Sequence, residues 1–260
     1  MNLLFIGDIV GSSGRRAVEE LLPRVVDRFA IDLVVANGEN AAGGLGLTPQ
    51  VADQLLGLGI DLITSGNHIW KHSEILPYLD STDRVLRPAN YPPGTPGQGL
   101  SIVETAAGEM AAVLNLEGRV FMSPLECPFR TADTLLSQLG PEIKVILVDM
   151  HAEATSEKLA LGWYLDGRAS AVVGTHTHVQ TADERILPGG TGYLTDAGMT
   201  GPTDSVIGMK TDIIISRFLT QRPQSFKVAS QNVRMQGVVL KFDPQGRCAE
   251  LTRINVPLKG

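Results

Sequence analysis

The order of residues predicts an α/β fold in which two packed β-sheets carry helices on their outer faces. Three observations lead there. Short, nearly all-apolar runs alternate with helical stretches in the first half, as in β-α-β units. A Gly-containing turn joins two strand-like stretches near residue 108, which breaks the alternation with an antiparallel hairpin. The C-terminal part then reads as further strands. With 260 residues and 43% hydrophobic content, the chain can bury a full core. It contains no linker or internal repeat, so residues 1–260 are expected to form one domain.

The first strand runs from Leu3 to Ile6, a helix follows from about Arg15 to Phe29, and the next strand spans Asp32 to Ala36. Thr48-Pro49 opens another helix, with Thr48 as N-cap and Pro49 at the first helical position. A strand from Asp61 to Thr64 comes next, and strands this apolar are usually covered on both faces. From Leu100 to Leu116 the expected hairpin turns at Ala107-Gly108-Glu109. Buried strands resume at Lys144 to Val148 and Ala171 to Gly174, separated by a helix near Ser156 to Tyr164. Several strands are expected between Ser225 and Pro257, with Asp243-Pro244-Gln245-Gly246 as a turn. The Pro- and Gly-rich stretches from Arg87 to Gly99 and from Pro188 to Gly208 read as site covers or as ordinary surface connections.

Composition narrows the function. A formal net charge of -6 leaves no basic footprint for a long nucleic acid. The apolar N-terminus lacks a basic flank and meets Gly7-Asp8 early, so it reads as a strand and not as a signal peptide. No apolar run approaches the roughly 18 residues of a membrane span. A soluble, cytoplasmic protein without a membrane partner is the expectation. Cys127 and Cys248 have no spacing partner and read as idle thiols.

Four of the five histidines sit in Gly66-Asn67-His68, Met150-His151 and Gly174-Thr175-His176-Thr177-His178. Gly7-Asp8 and Gly38-Glu39-Asn40 add carboxylates and an amide. Each segment follows an apolar run that reads as a strand, and ligand sites of α/β sheets collect beyond the carboxyl ends of strands. Asp8, Glu39, Asn67, His151 and His176 therefore fall on one rim. A lone Asp there is usually a cap and a lone His a satisfied polar group, but five together predict a metal site.

These blocks, in this order from residue 8 to residue 178, resemble the calcineurin-like metallophosphoesterases, whose blocks run D-x-H, G-D, G-N-H, H and G-H-x-H. Val10 stands where the first block has histidine, and Glu39 where the second has aspartate. With Gly38-Glu39-Asn40-Ala41-Ala42-Gly43-Gly44, these departures are similar to the YmdB-like branch, a group associated with cyclic-nucleotide phosphodiesterase activity. The resemblance implies an αββα sandwich and two metal ions. It implies one ion held by Asp8, Glu39, Asn40 and His178, the other by Glu39, Asn67, His151 and His176, with Glu39 bridging. Asn40 is the candidate substitute for the missing histidine. Its harder amide oxygen favours iron, then manganese, over zinc.

The resemblance further implies hydrolysis of small phosphodiesters, chiefly 2′,3′- or 3′,5′-cyclic nucleotides. A water shared by the metals would act as hydroxide, and His68 would be the general acid for the leaving oxygen. The plainer role for His68 is only to orient Asn67 or the phosphate. A phosphomonoesterase with the same centre is one alternative, and a regulatory nucleotide-binding protein with little turnover is another. Arg15 and Arg16 would meet an anion at a helix start or simply be solvated, and His72 would be an exposed or capping residue. Trp70 would stack on a base or serve as a core or lid aromatic. The Ala42-Gly43-Gly44-Leu45-Gly46 run is expected to bring backbone close to the metals. Exposed apolar surface in the β-rich tail would support a homo-oligomer.

Overall fold

The structure is a computed structural model and describes residues 1–259. In chain order it begins with β1 (Asn2–Ile6), β2 (Asp8–Ile9), α1 (Gly11–Phe29), β3 (Leu33–Asn37), α2 (Pro49–Gly57) and β4 (Leu62–Thr64). A short 3-10 helix (Asn67–Lys71) leads to α3 (Ile75–Ser81), β5 (Leu100–Glu104), β6 (Met110–Glu117), α4 (Pro128–Leu136), β7 (Val145–His151) and α5 (Thr155–Tyr164). The remainder is β8 (Ala171–Thr175), β9 (Arg185–Ile186), β10 (Gly192–Leu194), β11 (Met199–Pro202), α6 (Thr211–Thr220), β12 (Val233–Phe242) and β13 (Cys248–Pro257).

Two sheets result. The first has the order β2-β11-β12-β1-β3-β4, with β13 paired to β12; the second has the order β5-β6-β7-β8-β10-β9. Strands β1, β3 and β4 run parallel in one sheet, and β6, β7 and β8 run parallel in the other. The alternation of side chains along each strand builds three apolar layers. In β1, Leu4 and Ile6 face α1 while Leu3 and Phe5 face the second sheet. In β7, Val145 and Leu147 meet the first sheet, and Val148 and Met150 meet the outer helices. Burying each such side chain contributes roughly 1.5–3 kcal/mol, which locks the two sheets face to face. Their shared packing brings the carboxyl ends of both parallel sets to one edge.

The expected layering is therefore present, and so are the hairpin β5/β6 and the Thr48 cap, whose hydroxyl accepts from Val51 N–H at 3.3 Å. Helix α1 starts earlier than Arg15. The Gly11-Ser12-Ser13-Gly14 stretch forms its first turn. Gly14 seats against the Thr200 carbonyl, where a Cβ would overlap it, so the helix start packs directly on β11. The tail forms two long strands from Val233 onward, while the Pro188 to Gly208 stretch contains the short strands β10 and β11. No helix among the described residues is long and apolar enough to cross a membrane.

Candidate metal centre

Buried Glu39, just beyond β3, is the hub. Its Oε1 lies 3.1 Å from His68 Nδ1 and accepts from Asn40 Nδ2 at 3.0 Å. Its Oε2 lies 3.3 Å from His151 Nε2 and accepts from the His68 backbone N–H at 3.1 Å. His151 Nε2 is also 3.2 Å from Asn67 Oδ1 and 3.0 Å from His176 Nδ1. On the other flank Asn40 Nδ2 lies 3.1 Å from His178 Nε2, which is 3.7 Å from Asp8 Oδ1. Asp8 Oδ2 accepts from the His176 N–H at 3.2 Å. All eight residues singled out in the sequence thus form one connected cluster, drawn from both sheets. Donor atoms of Glu39, His151 and His176 lie within 4.8 Å of one another, a group that can hold a metal ion.

Local backbone makes the approach feasible. Gly66 has no side chain where a Cβ would overlap the His151 ring and Glu39 Oε2. Gly7 and Gly174 meet the carbonyls of Gly198 and Thr195 in the same way. His176 and His178 both adopt positive φ, 97° and 63°. Non-glycine residues held there carry on the order of 1–3 kcal/mol of strain, which the surroundings must offset.

Sequence reasoning missed the residues that hold this loop. Asp196 Oδ2 accepts from Thr177 N–H at 3.2 Å and from Thr177 Oγ1 at 2.8 Å, fixing the residue between the two histidines. Its Oδ1 accepts from Gly198 N–H at 2.9 Å, and the Gly198 carbonyl in turn accepts from Asp8 N–H at 3.0 Å. Lys158 neutralises Asp196 from below. A second missed chain orients His151: its Nδ1 donates to Thr175 Oγ1 at 2.9 Å, and that hydroxyl donates to Asp149 Oδ1 at 2.7 Å. Thr64 and Asn37 donate to Asp149 Oδ2 at 2.5 and 3.1 Å. With Nδ1 committed, Nε2 of His151 faces the cluster.

Electrostatics reveals what this cluster is suited to hold. Burial pushes the Asp8 carboxyl up, with His178 and His151 opposing, and Asp8 Oδ1 has no hydrogen-bond partner. Burial also disfavours charge on Glu39, but the charge and hydrogen bonds of His151 and then of His68 outweigh it, holding the carboxyl well below its usual range. Burial lowers His151, yet Glu39, Asp8 and Asp149 raise it to about 9. Burial and the neighbouring His151 charge lower His176 to about 3. Glu39 Oε2, Asn67 Oδ1 and His176 Nδ1 all crowd His151 Nε2 within 3.3 Å. A divalent cation would satisfy these oxygen and nitrogen donors at once, and the donor set fits one.

Other expectations sort differently. Val10 packs in apolar surroundings near Gly201 and Gly208 and donates nothing to the cluster, as its side chain dictates. Asn40 presents its amide nitrogen to Glu39 and His178 and its oxygen to His68 Nδ1 at 2.8 Å; a half-turn of the amide exchanges the two. Arg15 binds the Ala41 carbonyl and Arg16 sits 3.9 Å from Glu20, so neither meets the site. His72 caps the 3-10 helix and lies 3.0 Å from the Leu45 carbonyl. Trp70 packs on the α1-side core and edge-on to Tyr91, with centroids 5.0 Å apart, as a core aromatic. Of the glycine run, Gly44 is pressed against Val228 and lines one cavity with Asn40, His68 and His178, while Gly46 is pressed against His72. Neither cysteine is bonded.

Similarity to known proteins agrees with this geometry. The chain is 52% identical over 249 residues, 96% of its length and 94% of the other, to a 2′,3′-cyclic-nucleotide 2′-phosphodiesterase of Bacillus subtilis. It superposes with a TM-score of 0.93 on a hypothetical protein from Thermus thermophilus, at 47% identity over 99% of both chains. A novel phosphatase from Mycoplasma pneumoniae also gives a TM-score of 0.93, at 31% identity over 99% of this chain and 93% of that one. The family model described as YmdB-like protein matches residues 4–254, and this chain belongs to that family.

Proposed function

We propose that this chain is a dinuclear metal-dependent phosphodiesterase acting on small diesters, with 2′,3′-cyclic nucleotides as the favoured substrates and 3′,5′-cyclic nucleotides next. The observation that carries this reading is the gathering of seven polar side chains, from elements of both sheets, around buried Glu39. The Bacillus subtilis relative supports the substrate class. Asp8, Glu39, Asn40 and His178 would hold one ion, and Glu39, Asn67, His151 and His176 the other. The hard oxygen donors favour iron, then manganese. When bound, the two ions supply Lewis acidity toward the phosphoryl oxygens and lower the pKa of water.

The remaining work falls to the chain. His68, 34% exposed at its side chain, is held at Nδ1 by Glu39 and Asn40. Its Nε2, on the far edge of the ring, makes none of these contacts. That is the arrangement of a proton donor to the leaving oxygen. Glu39 fixes the His68 backbone and ring together, so acid and metal site keep one spacing. Glu39 follows β3 of one sheet and His151 ends β7 of the other, which supports reading residues 1–260 as one catalytic domain.

A phosphomonoesterase is the second reading, favoured by the phosphatase from Mycoplasma pneumoniae. Metal quantification on anaerobically purified protein, coupled to rates on a bis-aryl phosphodiester and its monoester, separates them. About two ions per chain with diester preference supports the proposal; a metal-free protein or a monoester preference sinks it. The same reading places the protein in the cytoplasm. It also takes a homo-oligomer from the exposed apolar surface, with Ile215 and Leu219 on α6 joining Phe226 of the tail as the face a second copy would cover. Sedimentation of a Leu219→Lys variant against the unaltered protein tests that contact.

A further inference from the structure

A cavity of about 540 Å³ opens directly beside the cluster, with Asn40, His68 and His178 among its lining. Its other walls are mostly apolar: Leu45, Ile207, Met209, Ile214, Phe218 and Phe226. The volume falls in the range of small-molecule sites. The two polar side chains from α6 and its C-terminal cap are Arg217 and Gln221, and the Arg217 guanidinium already sits 4.8 Å from the Phe226 ring centroid. Such a wall offers dispersion and stacking but few hydrogen bonds to a base edge.

Ile207 is the telling residue. Val206 N–H donates to the Met209 carbonyl at 2.9 Å and Met209 N–H to the Val206 carbonyl at 3.0 Å, closing a two-residue turn. Its central residues, Ile207 and Gly208, have φ of 46° and 96°. Asn-Gly suits such a turn, and a β-branched residue there is strained. Ile207 is nonetheless 53% exposed, so core packing does not explain it. Its carbonyl lies 2.9 Å from His178 Nδ1, which fixes the turn against the cluster, and its side chain lines the cavity.

We propose that this cavity is the subsite for the nucleobase of the substrate, with Ile207 and Phe218 as specificity-determining residues. The proposal rests on the phosphodiesterase reading and deepens it. A wall with only Arg217 and Gln221 to reach a base edge accepts a planar heterocycle chiefly by size and face. Adenine and guanine nucleotides are then cleaved with similar kcat/KM, and cyclic phosphates without a base are cleaved poorly.

The test uses adenosine, which has no phosphate, on the metal-free protein, together with kinetics on the metal-loaded protein. Saturation transfer from protein methyl groups to adenosine is expected in the unaltered protein, and its loss in Phe218→Ala and Ile207→Asn. Ile207→Asn also raises Tm, because the turn is relieved, and keeps the carbonyl that holds His178. Phe218 is 73% exposed, so its truncation leaves the fold in place. Phe218→Ala lowers kcat/KM for 2′,3′-cyclic AMP by about tenfold, with glycerol 1,2-cyclic phosphate unchanged. An adenosine signal kept in both variants, or equal slowing of both substrates, overturns the subsite. Adenosine binding that depends on Phe218 in a protein that cleaves no diester upholds the subsite and sinks the phosphodiesterase reading alone.

Discussion

Lys158 Nζ lies 2.7 Å from Asp196 Oδ2, with both side chains shut away from solvent. The pair is 38 residues apart in sequence and joins α5 to the segment after β10. Asp196 spends its remaining hydrogen bonds on Thr177 and Gly198, the residues that seat His176, His178 and Asp8. Its position ties global stability to the geometry of the candidate centre.

Lys158→Met removes the positive partner and strands a buried carboxylate. Breaking a buried pair in this way costs about 3–5 kcal/mol. Urea unfolding is expected to show that loss, and metal affinity should fall with it as Thr177 loosens. A loss under about 1 kcal/mol would mean that the Lys158–Asp196 pair does not hold this loop.

Thr175→Val keeps the volume and deletes the hydroxyl between His151 and Asp149. Removing such an outer partner of a metal-binding histidine typically weakens metal binding by about 10–100-fold. Chelator competition measures it, and Thr175→Ser, which keeps the hydroxyl, should recover most of the affinity. Equal affinity in the valine variant would show that His151 needs no orienting partner.

His68→Ala is expected to retain its metals while turnover falls by about 10²–10⁴-fold on an alkyl leaving group. An aryl leaving group, which departs with less help from a proton, should lose less. Unchanged turnover on the alkyl diester would refute the acid role and leave His68 as a positioning residue.

Glu117 supplies the pH prediction. Burial beside the cluster pushes its carboxyl from about 4.5 up to about 7, with His151 and the Tyr91 hydroxyl opposing, and its Oε1 has no partner. The folded state therefore holds this proton more tightly than the unfolded chain does. The stability it contributes is fully present below pH 4.5 and is lost as pH rises through about 7. In metal-free protein, Glu117→Gln should change little at pH 4 and gain up to about 3 kcal/mol at pH 8. Denaturant midpoints at the two pH values check this, and an equal change at both would rule out the buried carboxyl as the source.

Local chemistry made part of the molecule legible from residue order alone. Short apolar runs marked β1, β3, β4, β7 and β8, and Thr48-Pro49 marked a helix start, because propensity and capping act over a few residues. The histidine, carboxylate and amide segments carried their chemistry on their faces, and strand ends placed them on one rim. Tertiary structure decided the rest. The first turn of α1 depends on Gly14 meeting the Thr200 carbonyl, nearly two hundred residues away. Strands β9, β10 and β11 span two to four residues, too short to show a period. The Lys158–Asp196 pair, the Asp149–Thr175–His151 chain and the α6 wall of the cavity join positions that share no local pattern. Such contacts exist because two sheets pack face to face, and nothing in a run of neighbouring residues encodes which distant side chain that packing will deliver.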